Sequence, residues 1–290
     1  MTGFLALARA IHFVSLMMIF GGSGYAALLR RGRICELPLK SVRAVFTVAA
    51  TLALVSGIAW FCLVAGQMSG SWRGAADPTI LRMAAFETRF GHIFLARLIG
   101  LVALLSICTM KRSSIVAMPV LGGLLLASLA PVSHAAATMD GEIAITGAIN
   151  DAVHLLAAAS WLGGLTVLVL LIPRHWTDPA ALAGPLRIFS SWGSAVVALL
   201  VLTGVINALA ILPVSRMSLH NPYSELLLTK VGAVAVMVCL AALNRWRFAP
   251  ALPSGGESVI RQLASSVGLE LVLALLVVSL VGSLGTIAPY

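Results

Sequence analysis

Two histidines sit in matching surroundings 142 residues apart. One reads Ala10-Ile11-His12 and leads to Gly21-Gly22; the other reads Ala152-Val153-His154 and leads to Gly163-Gly164. Each precedes its glycine pair by nine and ten residues, within an apolar stretch long enough to cross a bilayer. Imidazole can ligate metals or carry protons. An ionisable side chain inside a membrane span is costly, so it marks a functional site by default. Asp151 lies three residues before His154 on the same helix face. A carboxylate there can orient a ligating imidazole.

The elements that position these groups follow from composition. The chain has 290 residues, 60% of them hydrophobic and only 10% charged, with a mean hydropathy of +1.04. Soluble domains carry roughly 25% charged residues, so the apolar surface here needs a bilayer to receive it. Eight apolar windows reach spanning length: 4–28, 43–66, 90–110, 115–133, 148–172, 188–212, 224–244 and 263–287. Backbone groups in hydrocarbon must be satisfied within each segment, and no barrel alternation is present, so all eight are helices. The expected fold is an all-α polytopic membrane protein, a single integral membrane domain over 1–290. Its first window is read as a membrane helix, since no basic stretch or small-residue cleavage site accompanies it.

The net charge of +9 reflects topology. Twelve Lys and Arg residues fall in the connections on one side, among them Arg30, Arg31, Arg33, Arg245 and Arg247; five fall on the other. The positive-inside rule places the twelve in the cytoplasm and both termini outside. Basic and aromatic residues do not interleave, which argues against nucleic acid as a partner. Cys35, Cys62, Cys108 and Cys239 lack metal or redox spacing and read as free thiols.

The duplication continues past the histidines. Ser56-Gly57 in the second window answers Thr203-Gly204 in the sixth, and Arg97 in the third answers Lys230 in the seventh. The chain therefore reads as two four-helix repeats of the same orientation, about 1–135 and 145–290. Such repeats are related by an axis along the membrane normal, with the glycines as close packing points.

With this topology His12, His92, His134, His154 and His220 all lie toward the outer face, and Met139 is in an outer connection. Imidazole with thioether suits copper, the thioether favouring Cu(I), and bundles build metal sites from several helices. The expected site joins His12, His134 and His154 in one copper position. His92 is a weaker candidate, Met139 a thioether donor and Asp151 the orienting carboxylate. Met17 and Met18 read as packing residues. Arg97 and Lys230 need partners, for which Glu87, Asp151 and Glu225 are the candidates by depth, or else they clamp an anion such as a haem propionate. Glu270 in the last window is open to a proton or ion relay or to a packing contact. No P-loop, HExxH, GxSxG or pump-type phosphorylation motif is present, so no enzyme is expected.

Several stretches resemble the CopD/PcoD copper-resistance family of bacterial inner-membrane proteins. They are His154-Leu155-Leu156-Ala157-Ala158-Ala159-Ser160-Trp161-Leu162-Gly163-Gly164-Leu165, Ser133-His134-Ala135, Leu228-Thr229-Lys230 running to Asn244-Arg245, and Leu284-Gly285-Thr286 with Pro289. The resemblance covers most of the chain. It implies eight helices moving copper ion from periplasm towards cytoplasm in copper homeostasis, beside a periplasmic copper carrier of the CopC type. The alternative is a transmembrane b-type haem protein with paired axial histidines, which a Soret band would reveal. A third reading is a scaffold subunit with no substrate of its own.

Overall fold

The computed structural model describes residues 1–34, 36–110, 117–130, 142–211, 222–254 and 256–286, and among these no strand occurs. The helices are α1 (Thr2–Arg31), α2 (Leu39–Met68), α3 (Pro78–Glu87), α4 (Arg89–Thr109), α5 (Ala117–Ala127), α6 (Glu142–Leu171), α7 (Ala183–Ile211), α8 (Pro222–Leu243) and α9 (Gly256–Leu284). Seven of the described helices are long and apolar enough to cross a membrane. A 30-residue helix such as α1 is roughly 45 Å long, more than the ~30 Å hydrocarbon core requires. The fourth expected span appears as the 11-residue α5, and the segments flanking it, 111–116 and 131–141, lie outside the described residues.

Large apolar side chains cover the outside. Val55, Ile99, Val102, Leu202, Val205, Val231 and Val272 are all more than half exposed. In water, contiguous apolar surface of this kind would drive association; here it faces lipid. The protein is a multi-pass membrane protein.

α1 and α6 are the most enclosed helices, and α7 and α8 the least. α1 packs on α2, α5, α6 and α9. Its crossing with α6 is made by the glycines seen in the sequence. A Cβ on Gly21 would stand 1.9 Å from the Ala159 carbonyl oxygen, and one on Gly163 would stand 2.1 Å from the Gly22 nitrogen. The second glycine of each pair receives an aromatic ring from the following helix. A Cβ on Gly22 would meet Phe46 of α2 at 2.9 Å, and one on Gly164 would meet Phe189 of α7 at 2.5 Å. Without a hydrophobic force between helices in lipid, this close backbone approach is what holds the pair together. Gly163→Ala is therefore expected to lower the melting temperature in detergent, at a cost of about 1–3 kcal/mol. An unchanged melting curve would contradict the crossing.

Two polar devices shape the connection before α4. The Asp77 carboxylate accepts from the Thr79 and Ile80 amides to start α3, and the Thr88 hydroxyl accepts from the Gly91 amide to start α4. At its basic end, α8 runs into a π turn, Asn244–Phe248, before ending at Ala249–Ala251.

Candidate functional site

His12 is fully buried, and both its ring nitrogens are engaged. Nδ1 is 2.9 Å from the Ala53 carbonyl oxygen, and Nε2 is 2.6 Å from an Arg97 terminal nitrogen. A guanidinium only donates, so Arg97 donates to Nε2 and the imidazole proton sits on Nδ1, which donates to Ala53. The ring edge packs on Trp60 at 5.6 Å, and a Cβ on Gly57 would lie 3.3 Å from its Cε1. No lone pair of His12 is left for a metal in this arrangement.

Arg97, 2% exposed, corrects the expectation of a carboxylate partner. Besides His12 it donates to the Leu125 carbonyl and the Ser128 hydroxyl, and it lies 5.6 Å over the Phe94 ring. The last carbonyls of a helix have no partner of their own and carry the negative end of its dipole. Arg97 therefore closes the end of α5, and its charge is balanced by backbone and imidazole. It is not a free anion clamp for a haem propionate, and His12 is not available as an axial ligand.

His154 repeats the first half of this scheme and departs from the second. Its Nδ1 is 2.8 Å from the Thr203 hydroxyl oxygen. That hydroxyl donates to the Leu199 carbonyl at 2.6 Å, so it accepts from Nδ1–H and leaves the lone pair on Nε2. Among the described residues Nε2 has no hydrogen-bonding partner. As in the first half, a glycine admits the ring: a Cβ on Gly204 would lie 3.3 Å from His154 Cε1. Thr203 is the residue that sets the tautomer. Asn150 braces the pair by donating to the Thr203 carbonyl at 3.1 Å and to Asn207 Oδ1 at 2.6 Å.

The difference between the halves opens a cavity. Three residues after Gly57 stands Trp60, which covers His12; three residues after Gly204 stands Asn207, which leaves His154 facing a space of about 210 Å³. Asp151, Lys230 and Tyr223 line it with His154 and Asn207, and Arg9, Met17 and Trp60 come from the other half. Asp151 is the carboxylate whose field acts on Lys230. Arg9 donates to the Gly285 carbonyl at 3.0 Å and stacks over Trp60 at 5.0 Å. Leu129, two residues before the segment 131–141, is also in the wall.

His92 stays apart from this cavity: it is exposed at the start of α4, bonded to the Phe86 carbonyl at 3.0 Å. His134 and Met139 lie outside the described residues, as does Cys35. Among the described residues no group of three or more His, Cys, Asp or Glu converges as a metal cluster, and Cys62, Cys108 and Cys239 are free thiols. Met17 packs in the core, as its place in an apolar window implies, and it also lines this cavity.

Apolar helices enclosing a pocket lined by imidazole, thioether and carboxylate define an integral membrane protein. Comparison with known proteins is consistent with that class. The family described as copper resistance protein D-like, N-terminal domain, matches residues 1–145, and the family copper resistance protein D matches 183–284. The inner membrane protein YebZ of Escherichia coli (strain K12) is 30% identical over 289 residues, 97% of each chain. Copper resistance protein D of Pseudomonas syringae pv. tomato is 30% identical over 299 residues, 97% of this chain and 95% of that one. Copper transport protein CutJ of Bacillus subtilis (strain 168) is 28% identical over 250 residues, 82% of this chain but 46% of CutJ. The chain belongs to the copper resistance protein D family. No solved structure matches it.

Proposed function

We propose that this protein transports copper across the bacterial inner membrane, from periplasm towards cytoplasm, and that the ion enters at the cavity beside His154. The observation that carries the reading is that His154, its Nδ1 taken by Thr203, lines a cavity that Met17 also lines. Imidazole and thioether are the donors that favour Cu(I) over hard cations. Arg9 and Lys230 outnumber Asp151 in the walls, so charge attraction does not recruit a divalent ion, and retention rests on soft-donor bonding.

His134 and Met139 complete the donor set from the connection that follows Leu129, and His12 serves the site by holding Arg97 and Trp60 in place. The protein spans the membrane eight times as two four-helix repeats, with both termini in the periplasm. The matched contacts of Gly22 and Gly164, and of Gly57 and Gly204, support the repeat. A periplasmic copper carrier of the CopC type would deliver the ion at the same face.

Two measurements test these points. Reporter fusions after Arg33 and Arg247 are expected to report cytoplasm, and fusions after Met139 and Tyr290 periplasm; a cytoplasmic C-terminus would overturn the orientation. Purified protein is expected to bind Cu(I) stoichiometrically and to show no Soret band. Copper-free protein that carries haem would hand the site to electron transfer.

A further inference from the structure

A second polar centre lies away from the copper cavity, and the reading above does not use it. Glu270 is 0% exposed and 14 residues into α9, roughly 21 Å along a helix of 29, so it stands near mid-membrane. Trp161 Nε1 donates to one carboxyl oxygen at 3.3 Å, and the Asn244 amide donates to the other. Asn244 is itself 8% exposed, and its Oδ1 has no hydrogen-bonding partner among the described residues. It opens the π turn of α8, a helix defect that re-aims side chains and recurs at functional sites.

Among the described residues no cation pairs with this carboxyl. The salt bridge found among the described residues is the surface pair Arg261–Glu257. From the π turn Arg245 shares a cavity with Glu270, but its guanidinium donates to the Ser190 carbonyl and the Ser194 hydroxyl. α6 presents Trp161 to the carboxyl. On α1, Arg9 is bonded to Gly285 and Tyr25 donates to the Pro185 carbonyl; the 3-10 helix Pro179–Leu182 carries no charged residue. The shared cavity, about 240 Å³, runs between α7 and α8 to a rim bearing the exposed Trp246.

An ionised carboxylate with two neutral donors and no counter-charge is costly at this depth. A proton removes that cost, and Asn244 provides for it. Turning its amide by 180° puts Oδ1 where Nδ2 stood, so the same side-chain positions let a carboxylic acid donate to Asn244 or a carboxylate accept from it. The orphaned oxygen is then the acceptor of the second state.

We propose that Glu270, with Asn244 as a two-way partner, is a proton-binding site that takes up and releases one proton through this cavity. Resting on the transport reading, its role is to exchange a proton for the positive charge that copper carries across the membrane. Infrared difference spectra of the protein in nanodiscs, recorded between acid and alkaline buffer, test the site without copper. A carboxylic-acid carbonyl band that titrates, shifts in D2O and vanishes in Glu270→Gln is expected, and it should persist in His154→Ala. Asn244→Leu should move the band to higher wavenumber, as its hydrogen-bond acceptor is lost. Wild-type spectra with no band that Glu270→Gln removes would overturn the proposal, as would a band unmoved by Asn244→Leu. Failure of copper transport alone would count against the function above and leave the infrared result to decide the proton site.

Discussion

Replacing His154 by Ala is expected to weaken Cu(I) binding by more than about 100-fold, while the melting temperature of the protein stays close to wild type. Loss of a residue that merely orients a ligand costs roughly 10–100-fold in metal affinity, so loss of the ligand itself exceeds that range. Thr203→Val falls inside it, because the valine keeps the shape of the side chain but no longer accepts from Nδ1–H. His154 is partly open to its cavity and leaves no charged group stranded when removed, which is why the fold should tolerate the change. Competition titration with a Cu(I) chelator measures all three proteins. An affinity in His154→Ala equal to wild type would remove this residue from the site.

His12→Ala is expected to act on the other quantity, stability. Its Nε2 is one of three acceptors for a guanidinium only 2% exposed, and no carboxylate stands ready to replace it. A hydrogen bond to a charged group contributes about 1.5–3 kcal/mol, and the deleted ring also leaves a hole beside Trp60. The variant should show a clearly lower melting temperature and membrane level, with the copper affinity of the folded fraction little changed. His12→Gln, whose side-chain carbonyl can accept from Arg97, should recover part of the loss. A His12→Ala protein that melts like wild type but cannot bind copper would reverse the roles given to the two histidines.

That the two histidines differ was not visible in their own neighbourhoods. The membrane class, the long helices and the role of Gly21-Gly22 and Gly163-Gly164 as close packing points could be read from the sequence; that the two pairs meet each other in the crossing of α1 with α6 could not. Ser56-Gly57 and Thr203-Gly204 were legible as partners from their matched positions in the two repeats; that each glycine admits the histidine ring of the preceding helix was not. The fate of each imidazole depends instead on residues distant in sequence. Trp60 closes over His12 where Asn207 leaves His154 open, and Arg97 reaches His12 Nε2 with a forked, multi-donor head. Arg97 also ends α5, a contact no spacing rule announces, because the acceptors are backbone oxygens that every residue carries.

The central claim is that copper passes inward by way of His154, and uptake by right-side-out membrane vesicles tests it most directly. Vesicles holding the wild-type protein, given radioactive copper under reducing conditions, are expected to accumulate it. Vesicles with equal amounts of His154→Ala should fall to the level of vesicles lacking the protein. Accumulation by His154→Ala at the wild-type rate, or copper leaving wild-type vesicles instead of entering them, would contradict the account.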